Sequence, residues 1–244
     1  MSLDVSLAGV PRSGGPESID DPTARVQRDL LAGASRVRRR IDKFIERLRD
    51  EDPRRAASFE RRLNPDWAHK YLDLAAMQVR KWPMFMPHLT GFSRGYEIGV
   101  GPGYLFRLLM EVRGTEMRGC DVDPARAVVF RELRREFGIT DLVDIHKVEP
   151  RQEIPIAEGS DALLAFFTSF CECFSLDDYR WLFDHCRERL SGDKQVFLLL
   201  NPRCYDAAGL DAFLRRHAEF PLLDRTRPEA EQRHRTRAFC RLSL

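Results

Sequence analysis

No stretch of this 244-residue sequence approaches the ~18 consecutive apolar residues that a membrane-spanning helix requires. The opening MSLDVSLAGVPRSGGPESIDDP also lacks the basic start and long apolar run of a secretory signal. The six cysteines (Cys120, Cys171, Cys173, Cys186, Cys204 and Cys240) are scattered and form no CxxC pair. That spacing argues against a disulfide framework and against a zinc module, and Cys171 with Cys173 lacks the partner pair a metal site needs. These absences lead to the expectation of a cytoplasmic protein with reduced thiols, no membrane association and no bound metal. Charge of one sign is scarce too. The formal net charge is only +2, so charge alone does not argue for a nucleic-acid partner.

What remains is an ordinary globular composition, 43% hydrophobic and 32% charged. Residues 1–21 are rich in Gly, Pro, Ser and Asp and read as a disordered tail. From Pro22 an amphipathic stripe begins: Val26, Leu30, Ala34, Val37, Ile41, Ile45 and Leu48 recur at steps of three or four. Arg28, Arg36, Arg39, Lys43 and Arg47 lie opposite, a solvated face rather than a phosphate-binding one. Asp52-Pro53 breaks the run, and a second helix is expected from Asn64-Pro65 to about Trp82-Pro83. Residues 22–90 thus form a helical extension, expected to cap the domain that follows.

After residue 90 strands and helices alternate. SRGYEIGV, EMRGCDV, LVDIHKV, DALLAFF and QVFLLL read as strands, with FPLLDR and RTRAFCRL as weaker candidates. YLFRLLMEVR, DPARAVVFRELRREFG, SLDDYRWLFDHCRERLSG and DAAGLDAFLRRHA read as helices; Ser175 and Asp178 supply a capping box, and Asp123 a cap ahead of Pro124. Repeated β-α-β units with short connections imply an α/β domain over 91–244: a doubly wound, mostly parallel sheet with helices on both faces.

In such a sheet ligands bind where strands end and the next helices begin. The first strand ends in YEIGVGPGY, with Gly99, Gly101 and Gly103 spaced GxGxG and Glu97 two residues ahead. A dinucleotide-binding turn would place its third glycine at 104, which is Tyr. The next strand ends at Asp121, where a carboxylate can accept both hydroxyls of a ribose.

The series YEIGVGPG, GCDVDP and SDALLAFF resembles the first, second and fourth motifs of the class I S-adenosylmethionine-dependent methyltransferases, over about residues 93–204. The resemblance implies their Rossmann-like fold, a doubly wound, mostly parallel seven-stranded sheet closing on an antiparallel hairpin. It also implies that Glu97, Gly99, Gly101 and Gly103 shape the pocket for the methionine portion of S-adenosylmethionine. Asp121 would hold the ribose hydroxyls, Val122 would touch the adenine, and Val148 and Glu149 lie where the family encloses that base. Phe166 and Thr168 would lie beneath the transferred methyl. No catalytic residue stands out; Glu172, Asn201 and Arg203 are candidates for acceptor contact or a base, while His146 and His185 read as structural. NPR at 201–203 follows the wrong strand for the base-methylating (D/N)PP(Y/F) motif, so a nucleic-acid acceptor is disfavoured and a small organic molecule is expected. A nucleotide-dependent oxidoreductase, or a cofactor-binding protein without catalysis, is the alternative. The sequence leaves the oligomeric state open, with a homodimer through the N-terminal helices compatible with it.

Overall fold

The structure, a computed structural model, describes residues 21–63, 72, 75–122, 128–166, 174–200, 204–217, 220–223 and 238–244. Helix α1 (Pro22–Glu51) starts where the Asp21 carboxylate accepts the Thr23 N–H and Pro22 takes the first turn. Asp52 then acts twice. Its N–H donates to the Leu48 carbonyl and closes α1, while its carboxylate accepts the Arg54 and Arg55 N–H groups and opens α2 (Pro53–Leu63). The expected break is therefore a corner between two helices. The second helix begins at once because Asp-Pro is a good cap-and-first-turn pair. Phe59 of α2 meets Phe44 of α1 edge-on at 5.0 Å. The helix expected from Asn64-Pro65 starts outside the described residues; its last turns are α3 (Ala75–Lys81), which ends in a 3-10 turn at Trp82–Met84.

The alternating region follows as β1 (Arg94–Ile98), α4 (Tyr104–Arg113), β2 (Glu116–Asp121), α5 (Val128–Glu136), β3 (Val143–Ile145), β4 (Ala162–Ala165), α6 (Leu176–Arg189), β5 (Gln195–Leu200), α7 (Ala207–His217), β6 (Phe220–Leu223) and β7 (Ala238–Ser243). Asp123 and Pro124, the expected cap of α5, lie outside the described residues. The capping box of α6 is present in full, with Ser175 and Asp178 bonded reciprocally. The seven strands form one sheet in the order β3-β2-β1-β4-β5-β7-β6. Strands β1 to β5 are mutually parallel, and β7 runs antiparallel to both β5 and β6. This is the doubly wound α/β sheet with the hairpin that the sequence predicts. None of the described helices is long and apolar enough to cross a membrane.

Two apolar layers sandwich the sheet, and strand alternation assigns side chains to each. Leu164, Phe197, Leu199 and Phe239 face the layer built from α1, α3, α4 and α5. Leu163, Ala165, Val196, Leu198 and Cys240 face α6 and α7. The stripe of α1 from Val26 to Leu48 is buried, most of it in the first of these layers. Its apolar face is thereby covered within the chain itself. Arg36 and Arg40 at its edge both bond Glu136 of α5 at 2.7 Å. The fully buried Phe239 ring centres the first layer, 5.4 Å from Phe85 and 5.9 Å from Phe166. Phe239→Ala should therefore cost about 3–5 kcal/mol of stability, read as a lower urea midpoint with an unchanged slope.

Candidate functional site

Strand β1 carries Glu97 to the C-terminal edge of the sheet, and the chain turns through Gly99–Gly103 into α4. The turn hangs from β2: the Gly99 and Val100 N–H groups both donate to the Cys120 carbonyl, at 2.8 and 3.3 Å. Gly101 and Gly103 have φ of +56° and +86°, a region that penalises a side chain. Their surroundings differ. A Cβ on Gly103 would stand 2.2 Å from Ile139 Cδ1, so packing requires that glycine. A Cβ on Gly101 would meet nothing closer than the Gly99 carbonyl at 3.9 Å, so this glycine opens onto free space. Tyr104, at the place of a dinucleotide-binding third glycine, is buried and packs on Phe137 at 5.7 Å.

Beside the turn lie three buried ionisable groups, Glu97, Asp121 and Arg134, each no more than 5% exposed. Asp121 ends β2, and its Oδ2 accepts the Gly101 N–H at 2.8 Å and a short bond from Arg134 Nη2. Its Oδ1 accepts the Val122 N–H at 2.8 Å. Arg134 also donates through Nε to the Gly101 carbonyl at 2.8 Å. Burial pushes the Asp121 carboxyl up from its ordinary value, while Arg134 and the two backbone donors pull it back. Glu97 is pushed well above the ordinary glutamate range, first by burial and then by the Asp121 charge. Its Oε2 has no hydrogen-bond partner.

The other expected residues are distributed around this point. Val122, just past β2, is an exposed apolar side chain (43%). Val148 is half-buried against the α6–α7 layer, and Glu149 pairs with Lys147. Phe166, one residue past β4, is buried in an aromatic cluster, stacked on Trp82 at 5.8 Å. Thr168, Glu172, Asn201 and Arg203, with Cys171 and Cys173, lie outside the described residues. His185 stacks on Trp181 at 5.3 Å and meets the Ile154 backbone, a structural setting.

Arg134 was not among the expected site residues, although the sequence carried its signal. Phe130, Leu133, Arg134 and Phe137 follow the i, i+3, i+4, i+7 rhythm of a buried helix face, and Arg134 occupies one of its apolar places. A charge there needs a buried partner. The ends of β1 and β2 provide it.

A second concavity opens beyond β4 and β5, between the starts of α6 and α7. It measures about 930 Å³ and is lined by Phe174, Leu176, Tyr205 and Phe213, with Arg180 and Arg216 among its polar residues. It does not contain the glycine turn.

No protein-family model matches this chain, and no curated sequence is similar to it. The fold is similar to that of a protein from Nostoc punctiforme PCC 73102 named as a candidate O-methyltransferase, at 12% identity and a TM-score of 0.50, covering 74% of this chain and 61% of that one. The pyocyanin biosynthetic protein PhzM is 16% identical, with a TM-score of 0.48 and coverage of 75% and 60%. The chain thus spans about three fifths of the length of these two relatives in fold. Strand order and likeness together show that the chain shares the α/β fold of the Nostoc protein.

The raised Glu97 carboxyl gives a test of the site's electrostatics. The folded protein keeps a proton on Glu97 at pH values where the unfolded chain, near 4.5, has released it. Wild type should therefore lose stability relative to Glu97→Gln as pH rises above 4.5, because the Gln variant has no carboxyl to ionise. Urea denaturation of both proteins across a pH series reads the difference.

Proposed function

We propose that the protein is an S-adenosylmethionine-dependent methyltransferase acting on a small organic molecule, with S-adenosylhomocysteine as the second product. One observation carries the reading: two buried carboxylates, Glu97 and Asp121, flank the open side of the Gly99–Gly103 turn at the ends of adjacent parallel strands. The donor set fits this cofactor. Glu97 Oε2 is a buried acceptor without a partner, suited to the ammonium group of an amino acid. Asp121 Oδ1 accepts one bond and keeps a second acceptor position for a ribose hydroxyl. The space beside Gly101 admits a chain close to the backbone. Val122 offers an apolar surface for a purine, with Val148 and Glu149 following the neighbouring strand β3.

The cofactor supplies a methyl group already activated on a sulfonium, so no protein nucleophile or metal is required for transfer. The chain's tasks are alignment and exclusion of water. Phe166, fixed between Trp82 and Phe239, gives a rigid apolar floor past β4. Thr168 belongs with Phe166 beneath the transferred methyl, and Glu172, Asn201 and Arg203 belong to the acceptor side of the same reading. Neighbouring parallel strands stand about 4.8 Å apart, so the ends of β1 and β5 are about 10 Å apart across β4. The concavity beyond β4 and β5 opens on the α6–α7 side of the sheet, and 930 Å³ suits a small molecule. The division into a helical extension (22–90) and a cofactor-binding domain (91–244), and a cytoplasmic location with Cys120, Cys186, Cys204 and Cys240 outside any disulfide, belong to the same proposal.

Isothermal titration tests it. S-adenosylhomocysteine should bind, and NAD(H) should not; binding of NAD(H) alone would overturn the assignment in favour of an oxidoreductase. Asp121→Asn keeps the side-chain shape but loses the charged acceptor, and should weaken S-adenosylhomocysteine binding by ~1.5–3 kcal/mol. Unchanged affinity would show that the ribose lies elsewhere.

A further inference from the structure

Building on the cofactor reading, we propose that Arg134 is a positioning residue which makes Asp121 a one-handed ribose acceptor, bonding one hydroxyl of the diol and not both. The geometry is a closed ring. The Gly101 N–H donates to Asp121 Oδ2 at 2.8 Å, Arg134 Nη2 donates to the same oxygen, and Arg134 Nε donates to the Gly101 carbonyl at 2.8 Å. Gly101 is thus gripped through its N–H and its C=O, and Arg134 ties the glycine turn on β1 to the end of β2 from the third element, α5. An ionised carboxylate offers about four acceptor positions. Two on Oδ2 are filled by Gly101 and Arg134, and one on Oδ1 by Val122. One position remains, on Oδ1.

A diol that used both oxygens would have to displace Arg134 or the Gly101 N–H. Arg134 is 5% exposed, so displacing it would leave a buried guanidinium short of its carboxylate. The turn would also lose the bond that fixes Gly101 at φ +56°. The ring is therefore kept when the ribose binds. The planar fork of an arginine, with separate donors for two acceptors, is what spans Gly101 and Asp121 together; a lysine carries one point charge and cannot bridge them in the same way.

The test compares S-adenosylhomocysteine with its 2′-deoxy and 3′-deoxy analogues by isothermal titration. In wild type one analogue should lose about tenfold or more in affinity, the worth of a hydrogen bond to a charged acceptor, and the other less than about threefold. Comparable losses for both analogues would overturn the proposal, and this arm needs no variant. Arg134→Met frees Oδ2 for the second hydroxyl, so the difference between the analogues should vanish, while the lost bond to the Gly101 carbonyl should weaken the parent ligand about tenfold. Arg134→Lys returns a cation to Oδ2 and should restore that difference. A purely structural role would weaken all three ligands in parallel and leave the difference in place, which also overturns the proposal. Melting curves identify folded variants, and if the Met variant does not fold, the wild-type analogue pair decides: unequal losses support one-handed binding and equal losses overturn it. A wild-type protein that binds none of the three ligands overturns the cofactor reading itself, a different result from equal losses among ligands that do bind.

Discussion

The turn at the end of β1 keeps its shape because a buried arginine and a buried aspartate hold its central peptide between them. Every other feature of the site is placed relative to that ion pair. Without Arg134, two carboxylates would share a region that water barely enters, and the charged form of each would be costly. With it, Asp121 receives a cation and two backbone donors, while Glu97 is left as the less satisfied of the pair. An apolar helix face thus carries one charged member whose purpose lies on the other side of the helix–sheet contact.

The layout of strands and helices was legible because the signals were local. The apolar run QVFLLL of β5, the Ser175–Asp178 box and the stripe of α1 each follow from residues a few positions apart. Asp52-Pro53 ends α1 as expected, but the helix that follows at once was not expected, because Asp-Pro serves equally to end one helix and to start another; the Asp52 cap and the packing of Phe59 on Phe44 hold the second outcome. Around the glycine turn, the placement of Glu97, Gly99, Gly101, Gly103 and Asp121 near the ends of neighbouring strands follows from the local strand pattern. For Arg134 the helix pattern marks a buried charge but not its partners, which are 13 and 33 residues away and meet it only once β2 and α5 are folded back together. The same holds for Phe239, whose ring lies against Phe85 and Phe166 only once the last strand has joined the sheet.

The N-terminal helix is tied to the sheet by the same economy of partners. Its apolar stripe packs into the layer that covers β1, β4 and β5, and two of its arginines reach the single carboxylate of Glu136 on α5. That helix also carries Arg134, two residues before Glu136. One short element thus joins the extension on its outer side and the glycine turn on its inner side.

The position of β7 sets an order of events during synthesis. β5 pairs with β4 on one edge and with β7 on the other, and β7 emerges after β6 and α7. Until residue 243 has left the ribosome, the outer edge of QVFLLL has no strand beside it, and both faces of that segment are apolar. Such an edge invites pairing with another nascent copy. An inner strand of the finished sheet thus spends part of synthesis as an exposed apolar edge.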